Sequence, residues 1–154
     1  MTSQIDDLIK RVGEINESHG FNEYKDIPDD YKKFYIGTKI LLMVSELTEA
    51  FEEIRSGKPT TETYYVMPAV PASLIAEVGD VDIATKSFED FWKNQPGLKK
   101  PEGFPSELAD ALIRLLSLVY EIEQDKGEVI PLVEAVEEKI AYNDTRPYKH
   151  GRQF

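Results

Sequence analysis

Glu46-Leu-Thr-Glu49 and Glu107-Leu-Ala-Asp110 each set two carboxylates three residues apart inside an otherwise apolar helical pattern. On an α-helix this spacing puts both acids of a pair on one face, one turn apart. Two such faces turned toward each other collect four negative charges, which repel unless a cation lies among them. All four donors are hard oxygens, a set suited to Mg²⁺ or Mn²⁺ rather than to a soft metal. Such an ion neutralises phosphate charge and acidifies a bound water, while a nearby carboxylate outside the coordination sphere takes the proton. Glu49 and Glu53 both suit that role, and their spacing does not choose between them. The plainer alternative is two solvated acidic faces, the usual position of charged helical residues.

The opposite charge is supplied near the C-terminal end, in Lys139-Ile-Ala-Tyr142-Asn143-Asp-Thr-Arg146-Pro-Tyr148-Lys149-His150-Gly-Arg152. Arg146 offers a guanidinium fork for phosphate, Lys139 a point charge, and Asn143 an amide that both donates and accepts. Tyr142 or Tyr148 offers a ring on which a base can stack. A solvated basic tail is the competing reading, and His150 and His19 read most simply as surface histidines.

The elements that must carry these residues are helical. Ile5, Leu8, Ile9, Val12 and Ile15 recur at helical spacing behind a Ser3 cap, with a stop at His19-Gly20. Pro28-Asp29-Asp30 opens a second helix, whose stripe Ile36, Ile40, Met43, Val44, Leu47, Phe51 and Ile54 runs to Gly57-Lys58-Pro59. Glu46, Glu49 and Glu53 form an acidic line opposite much of that stripe, and Lys39 lies near the same face. Thr60 to Val70 reads as a short edge strand or an extended excursion, because it mixes β-branched and tyrosine residues with Pro68. Ser73 caps a helix predicted to run toward Trp92, weakened by Gly79, and residues 95–105 read as a shaped loop. The clearest later helix runs from near Ser106 to about Gln124, with Leu108, Ala111, Leu112, Leu115, Val119 and Ile122 on its core side. Its polar line holds Glu107, Asp110, Arg114, Ser117 and Glu121. Gly127 interrupts it, and Pro131 suits the first turn of a last helix.

Composition agrees with a single helical domain over residues 1–154. A net charge of -11 argues against a nucleic-acid polymer as partner, and the absence of cysteine excludes disulfides, thiol chemistry and cysteine zinc sites. No apolar run approaches the roughly 20 residues that span a bilayer, so no membrane partner is expected and the cytoplasm is the simplest location.

Together these blocks resemble the MazG-like all-α nucleoside triphosphate pyrophosphohydrolases, including phage and bacterial members. The matching stretches are Ser45-Glu-Leu-Thr-Glu-Ala-Phe-Glu-Glu-Ile-Arg55, Lys100-Pro-Glu-Gly-Phe-Pro-Ser-Glu-Leu-Ala-Asp-Ala-Leu-Ile-Arg114, and the Lys-x-x-Tyr-Asn-x-x-Arg-Pro-x-x-His-Gly ending, within residues 39–57, 100–118 and 139–151. The resemblance implies an all-α, MazG-like bundle with a long insertion, about residues 58–105, between two metal-binding helices, and a basic tail over about 139–154. It further implies Mg²⁺, with Mn²⁺ possible, on Glu46, Glu49, Glu107 and Asp110. Lys39, Lys139, Asn143 and Arg146 are expected to contact the nucleotide, and Glu49 or Glu53 to act catalytically. The expected reaction converts a nucleoside or deoxynucleoside triphosphate to monophosphate and pyrophosphate, in a homodimer or larger homo-oligomer located in the cytoplasm, or the host cytoplasm if phage-encoded. The two pairs lie farther apart than in a minimal member, and Glu77-Val-Gly-Asp80 between them has the same spacing. The cleaner stripe around Glu107 and Asp110 favours that pair. A noncatalytic nucleotide or metal sensor and an acidic helical interaction protein are the alternatives.

Overall fold

The computed structural model describes residues 4–93, 95 and 99–147. Among these residues are six α-helices, α1 (Gln4–Ser18), α2 (Asp29–Arg55), α3 (Ala72–Val78), α4 (Val81–Lys93), α5 (Phe104–Lys126) and α6 (Leu132–Asp144). A 3-10 turn occupies Tyr24–Asp26, and two three-residue strands, β1 (Tyr64–Val66) and β2 (Lys100–Glu102), form an antiparallel ribbon. The architecture is thus an all-α bundle with a small ribbon, and no helix among the described residues is long and apolar enough to cross a membrane. The predicted Ser3 cap, Tyr148 and His150 lie outside the described residues. The chain divides into two compact units, residues 1–41 with 113–154 and residues 42–112, so that α2 and α5 each contribute to both.

The first unit is built on α1 and the second half of α5. Ile9, Leu116 and Val119 are buried together, with Ile5, Val12, Tyr120, Ile130 and Leu132 packed around them. Gly13 makes the close approach of these helices possible, since a Cβ there would sit 2.1 Å from the Tyr120 ring. Asn16 Nδ2 donates to Ser117 Oγ at 2.8 Å, tying the same two helices one turn farther on. The turn from α5 to α6 is held by Ile130 N–H donating to Glu123 Oε1 at 2.8 Å.

The second unit contains the remainder of α2, the insertion, and the start of α5. The predicted helix from Ser73 to Trp92 is two helices, because Gly79 adopts φ 72° and closes α3 with its N–H on the Ile75 carbonyl. Asp80 then caps α4, its Oδ1 accepting from Ile83 N–H at 3.0 Å. The region read as either strand or excursion forms β1, and the expected loop before α5 contains β2, with Tyr64 opposite Glu102 and Val66 opposite Lys100. Pro101 fits a two-stranded ribbon, where a missing N–H is tolerated at an edge.

The stripe of α2 and the first half of that of α5 do not lie where periodicity predicts, whereas Ile9 of α1 and Val119 of α5 are buried as expected. Val44, Leu47, Phe51 and Ile54 of α2 and Leu108 and Leu112 of α5 are exposed, as are Ile40 and Leu115 in the first unit. Glu46, Ala50 and Glu107 are buried instead. On α2 Glu46 is turned inward and most of the stripe outward, while Glu49 stays exposed, because helical periodicity separates two faces without stating which of them is covered.

Substituting Gly13 by Ala should lower stability by about 1–3 kcal/mol through overpacking against Tyr120, more than the roughly 1 kcal/mol gained in helix propensity. A lower urea midpoint is the expected reading; an unchanged or higher one would show that the tyrosine ring moves aside freely.

Candidate metal centre

The site belongs to the second unit and begins with the way α5 starts. Gly103 has φ 108°, and a Cβ there would meet the Glu62 carbonyl oxygen at 2.8 Å and the Tyr64 ring at 3.3 Å. Only glycine lets the ribbon lie so closely against the helix start. The Gly103 carbonyl accepts the N–H groups of Ser106 and Glu107, at 2.8 and 3.1 Å. Glu107 therefore sits in the first turn of α5, where the helix dipole favours negative charge. Asp110 follows one turn later, and Glu46 comes from the buried side of α2.

Glu46, Glu107 and Asp110 converge, each offering a carboxylate oxygen within 4.8 Å of the other two. Glu46 is 6% and Glu107 3% exposed, while Asp110 is half-buried. An octahedral cation with oxygen bonds of about 2.1 Å spaces its ligands by about 3 Å when adjacent and about 4.2 Å when opposite. Small side-chain rotations bring the triad into that range, so the donors fit a hard divalent cation in type and in spacing. A merely solvated acidic face would not bury two of its members.

Glu107 is pushed up to about 7, first by burial, then by its hydrogen bond with Glu102 and by the negative charges of Glu102, Glu49 and Asp110. Glu102 is held below the usual carboxylate range by Lys100, whose Nζ lies 2.7 Å from Glu102 Oε1. Lys100 is raised in turn, mainly by Glu102 and further by the charges on Glu107 and Asp110.

Glu49 is exposed one turn after Glu46, and its charge reaches Glu107. Glu53 is engaged elsewhere: Tyr64 Oη donates to both of its oxygens at 3.1 Å, and Lys58 Nζ lies 3.5 Å from it while also donating to Tyr64 Oη. Glu77 and Asp80 share no helix face, since Gly79 separates α3 from α4; both are exposed, and Asp80 is occupied as a cap. In the first unit, Lys39 Nζ is 3.4 Å from Glu121 Oε1 and packs over the Tyr35 ring. Lys139 and Arg146 both lie over Tyr142, at 5.3 and 6.0 Å from its centroid, and with Asn143 they are exposed. Ala135, Glu138, Lys139 and Tyr142 line an open hollow of about 360 Å³.

Sequence reasoning missed Glu102, Lys100 and Tyr64. Lys100 and Glu102 are two residues apart, the spacing that shares one face of a strand. Pro101 and the glycines around it hid that signal, because they read as a loop. The chain matches no family model, no curated protein and no solved structure. Its chemistry rests on its own side chains.

Because Glu107 retains its proton up to about 7, a cation must displace that proton at lower pH. Affinity for Mn²⁺ should rise by up to about tenfold per pH unit below 7, with release of one proton, and level off above it. In the absence of cation the fold favours protonated Glu107, a preference fully present below 4.5 and lost as pH rises toward 7. Isothermal titration from pH 5.5 to 8.5 in two buffers of different ionisation enthalpy measures both slope and proton count; a flat profile would remove Glu107 from the ligand set.

Proposed function

We propose that this protein is a MazG-like, Mg²⁺-dependent pyrophosphohydrolase that converts a nucleoside or deoxynucleoside triphosphate to its monophosphate and pyrophosphate. The observation that carries the proposal is the convergence of Glu46 with Glu107 and Asp110 from two separate helices, as the motif resemblance requires. A divalent cation bound there would neutralise phosphate and lower the pKa of a coordinated water.

The chain's own residues divide the remaining work. Glu46, Glu107 and Asp110 would hold the cation, and Glu49, exposed one turn beyond Glu46, would accept a proton from the attacking water. Glu53 suits this role less well, because Tyr64 and Lys58 already engage its carboxylate. Water adds at the α phosphorus, the bond to the bridging oxygen breaks, and pyrophosphate leaves with the displaced electron pair. Lys139, Asn143 and Arg146 remain the proposed nucleotide contacts. Self-association is supported by the exposed stripe of Val44, Leu47, Phe51 and Ile54, since large apolar surfaces are seldom left in water.

Incubation with a panel of ribo- and deoxyribonucleoside triphosphates and Mg²⁺ in ¹⁸O-water should yield labelled monophosphate and unlabelled pyrophosphate. Diphosphate with orthophosphate would reject the assigned bond, and cation binding without any product would select the sensor reading. Glu49→Gln should lower kcat by about a hundredfold or more with little change in fold. Glu46→Gln and Asp110→Asn should instead weaken Mn²⁺ binding, measurable by titration without nucleotide.

A further inference from the structure

Lys100 stands beside the triad without belonging to any acid that would ligate a cation there. It shares one face of β2 with Glu102, and their 2.7 Å ion pair places the ammonium one carboxyl away from Glu107, to which Glu102 is hydrogen bonded. Its side chain is 61% exposed. An ion pair this open to water contributes little, so the lysine can exchange partners at small cost. Gly103 and the Tyr64–Glu102 pairing anchor the strand that carries it against the start of α5.

A positive charge at this position suits the site once it is used as proposed above. Three carboxylates around a divalent ion leave about one net negative charge, and Glu49 and Glu102 add to it. A polyphosphate brings several more negative charges to the same place. The other cations seen engaged in this unit are drawn elsewhere: Arg55 to Glu52, Lys58 to Glu53 and Tyr64, and Lys93 to Asp90. An ammonium on a flexible stem is a suitable phosphate ligand because it acts as a point charge without demanding a planar partner.

We infer that Lys100 leaves Glu102 to bind a phosphate of the substrate, so that β2 supplies the cationic half of the site whose anionic half is Glu46, Glu107 and Asp110. The inference rests on the metal-dependent reading above, and its ligand class is a polyphosphate, as part of a nucleotide or as the inorganic ion. In this assignment the ribbon delivers a substrate contact as well as supporting the helices.

The test uses Lys100→Met, Lys100→Arg and, as a control for bulk charge, Lys93→Met in the full chain. Isothermal titration is performed with Mn²⁺ alone, then with tripolyphosphate and with a non-hydrolysable nucleoside triphosphate at saturating Mn²⁺. Lys100→Met should weaken tripolyphosphate binding about tenfold while leaving affinity for Mn²⁺ alone unchanged or tighter, as expected for one lost charged hydrogen bond. Lys100→Arg should recover most of the loss, and Lys93→Met should match the wild type. Equal weakening of the nucleotide analogue assigns the contact to its phosphates; loss for the analogue alone would overturn it. Unchanged tripolyphosphate binding in Lys100→Met, a parallel fall in Mn²⁺ affinity, or an equal effect of Lys93→Met would also overturn it. A wild-type protein that binds Mn²⁺ and tripolyphosphate with the expected Lys100 effect, yet cleaves no triphosphate, refutes the hydrolase reading and leaves this assignment standing.

Discussion

Mutual repulsion among Glu46, Glu107 and Asp110 is the constraint around which the second unit is organised. At an effective dielectric constant of about 20, two unit charges about 4 Å apart repel by roughly 4 kcal/mol, and the triad brings three acids within 4.8 Å. Two sources of relief are seen at Glu107. Glu107 keeps its proton to about 7, and Lys100 neutralises the Glu102 carboxylate hydrogen bonded to it. Both devices are local and reversible, so a divalent cation can replace the proton and leave Lys100 available to a phosphate.

The ribbon connects this electrostatic arrangement to the helices that carry it. Tyr64 and Glu102 lie opposite each other in register; the first donates to Glu53 of α2, and the second is hydrogen bonded to Glu107 of α5. One pair of strand residues therefore holds one acid from each helix. The glycine between ribbon and helix makes this possible, because a side chain at position 103 would strike the Glu62 backbone. Among the described residues the insertion thus reaches α2 at Glu53 and α5 at Glu107.

Glu121 in the first unit shows what a buried carboxylate looks like when it is structural. It is 2% exposed, accepts from Tyr35 Oη at 2.8 Å and from Ser117 Oγ at 3.3 Å, and pairs with Lys39. Its donors are a tyrosine, a serine and a lysine, which satisfy it within the protein. Burial and the Glu121 hydrogen bond push the Tyr35 hydroxyl well above its ordinary range, so it remains a donor. Glu107, by contrast, faces further acids, and that difference in company separates a fold-supporting carboxylate from one suited to a cation.

The sequence alone determined the helices and the two acid pairs, because apolar periodicity, Pro28, Pro131 and the glycine stops act locally. It also contained the doubt over Glu77 and Asp80, since spacing is blind to a left-handed glycine that ends one helix before the next begins. Only the tertiary structure decided which face of each helix was buried, reversing the expected position of much of the α2 stripe and the first half of the α5 stripe and enclosing Glu46 and Glu107. It alone revealed Glu102, Lys100 and Tyr64 as part of the site, through strand pairing between residues nearly forty positions apart in the chain. The physical reason is one of range: helix formation depends on neighbours within a turn or two, whereas burial, proton sharing and ion pairing depend on groups that only the folded chain brings together.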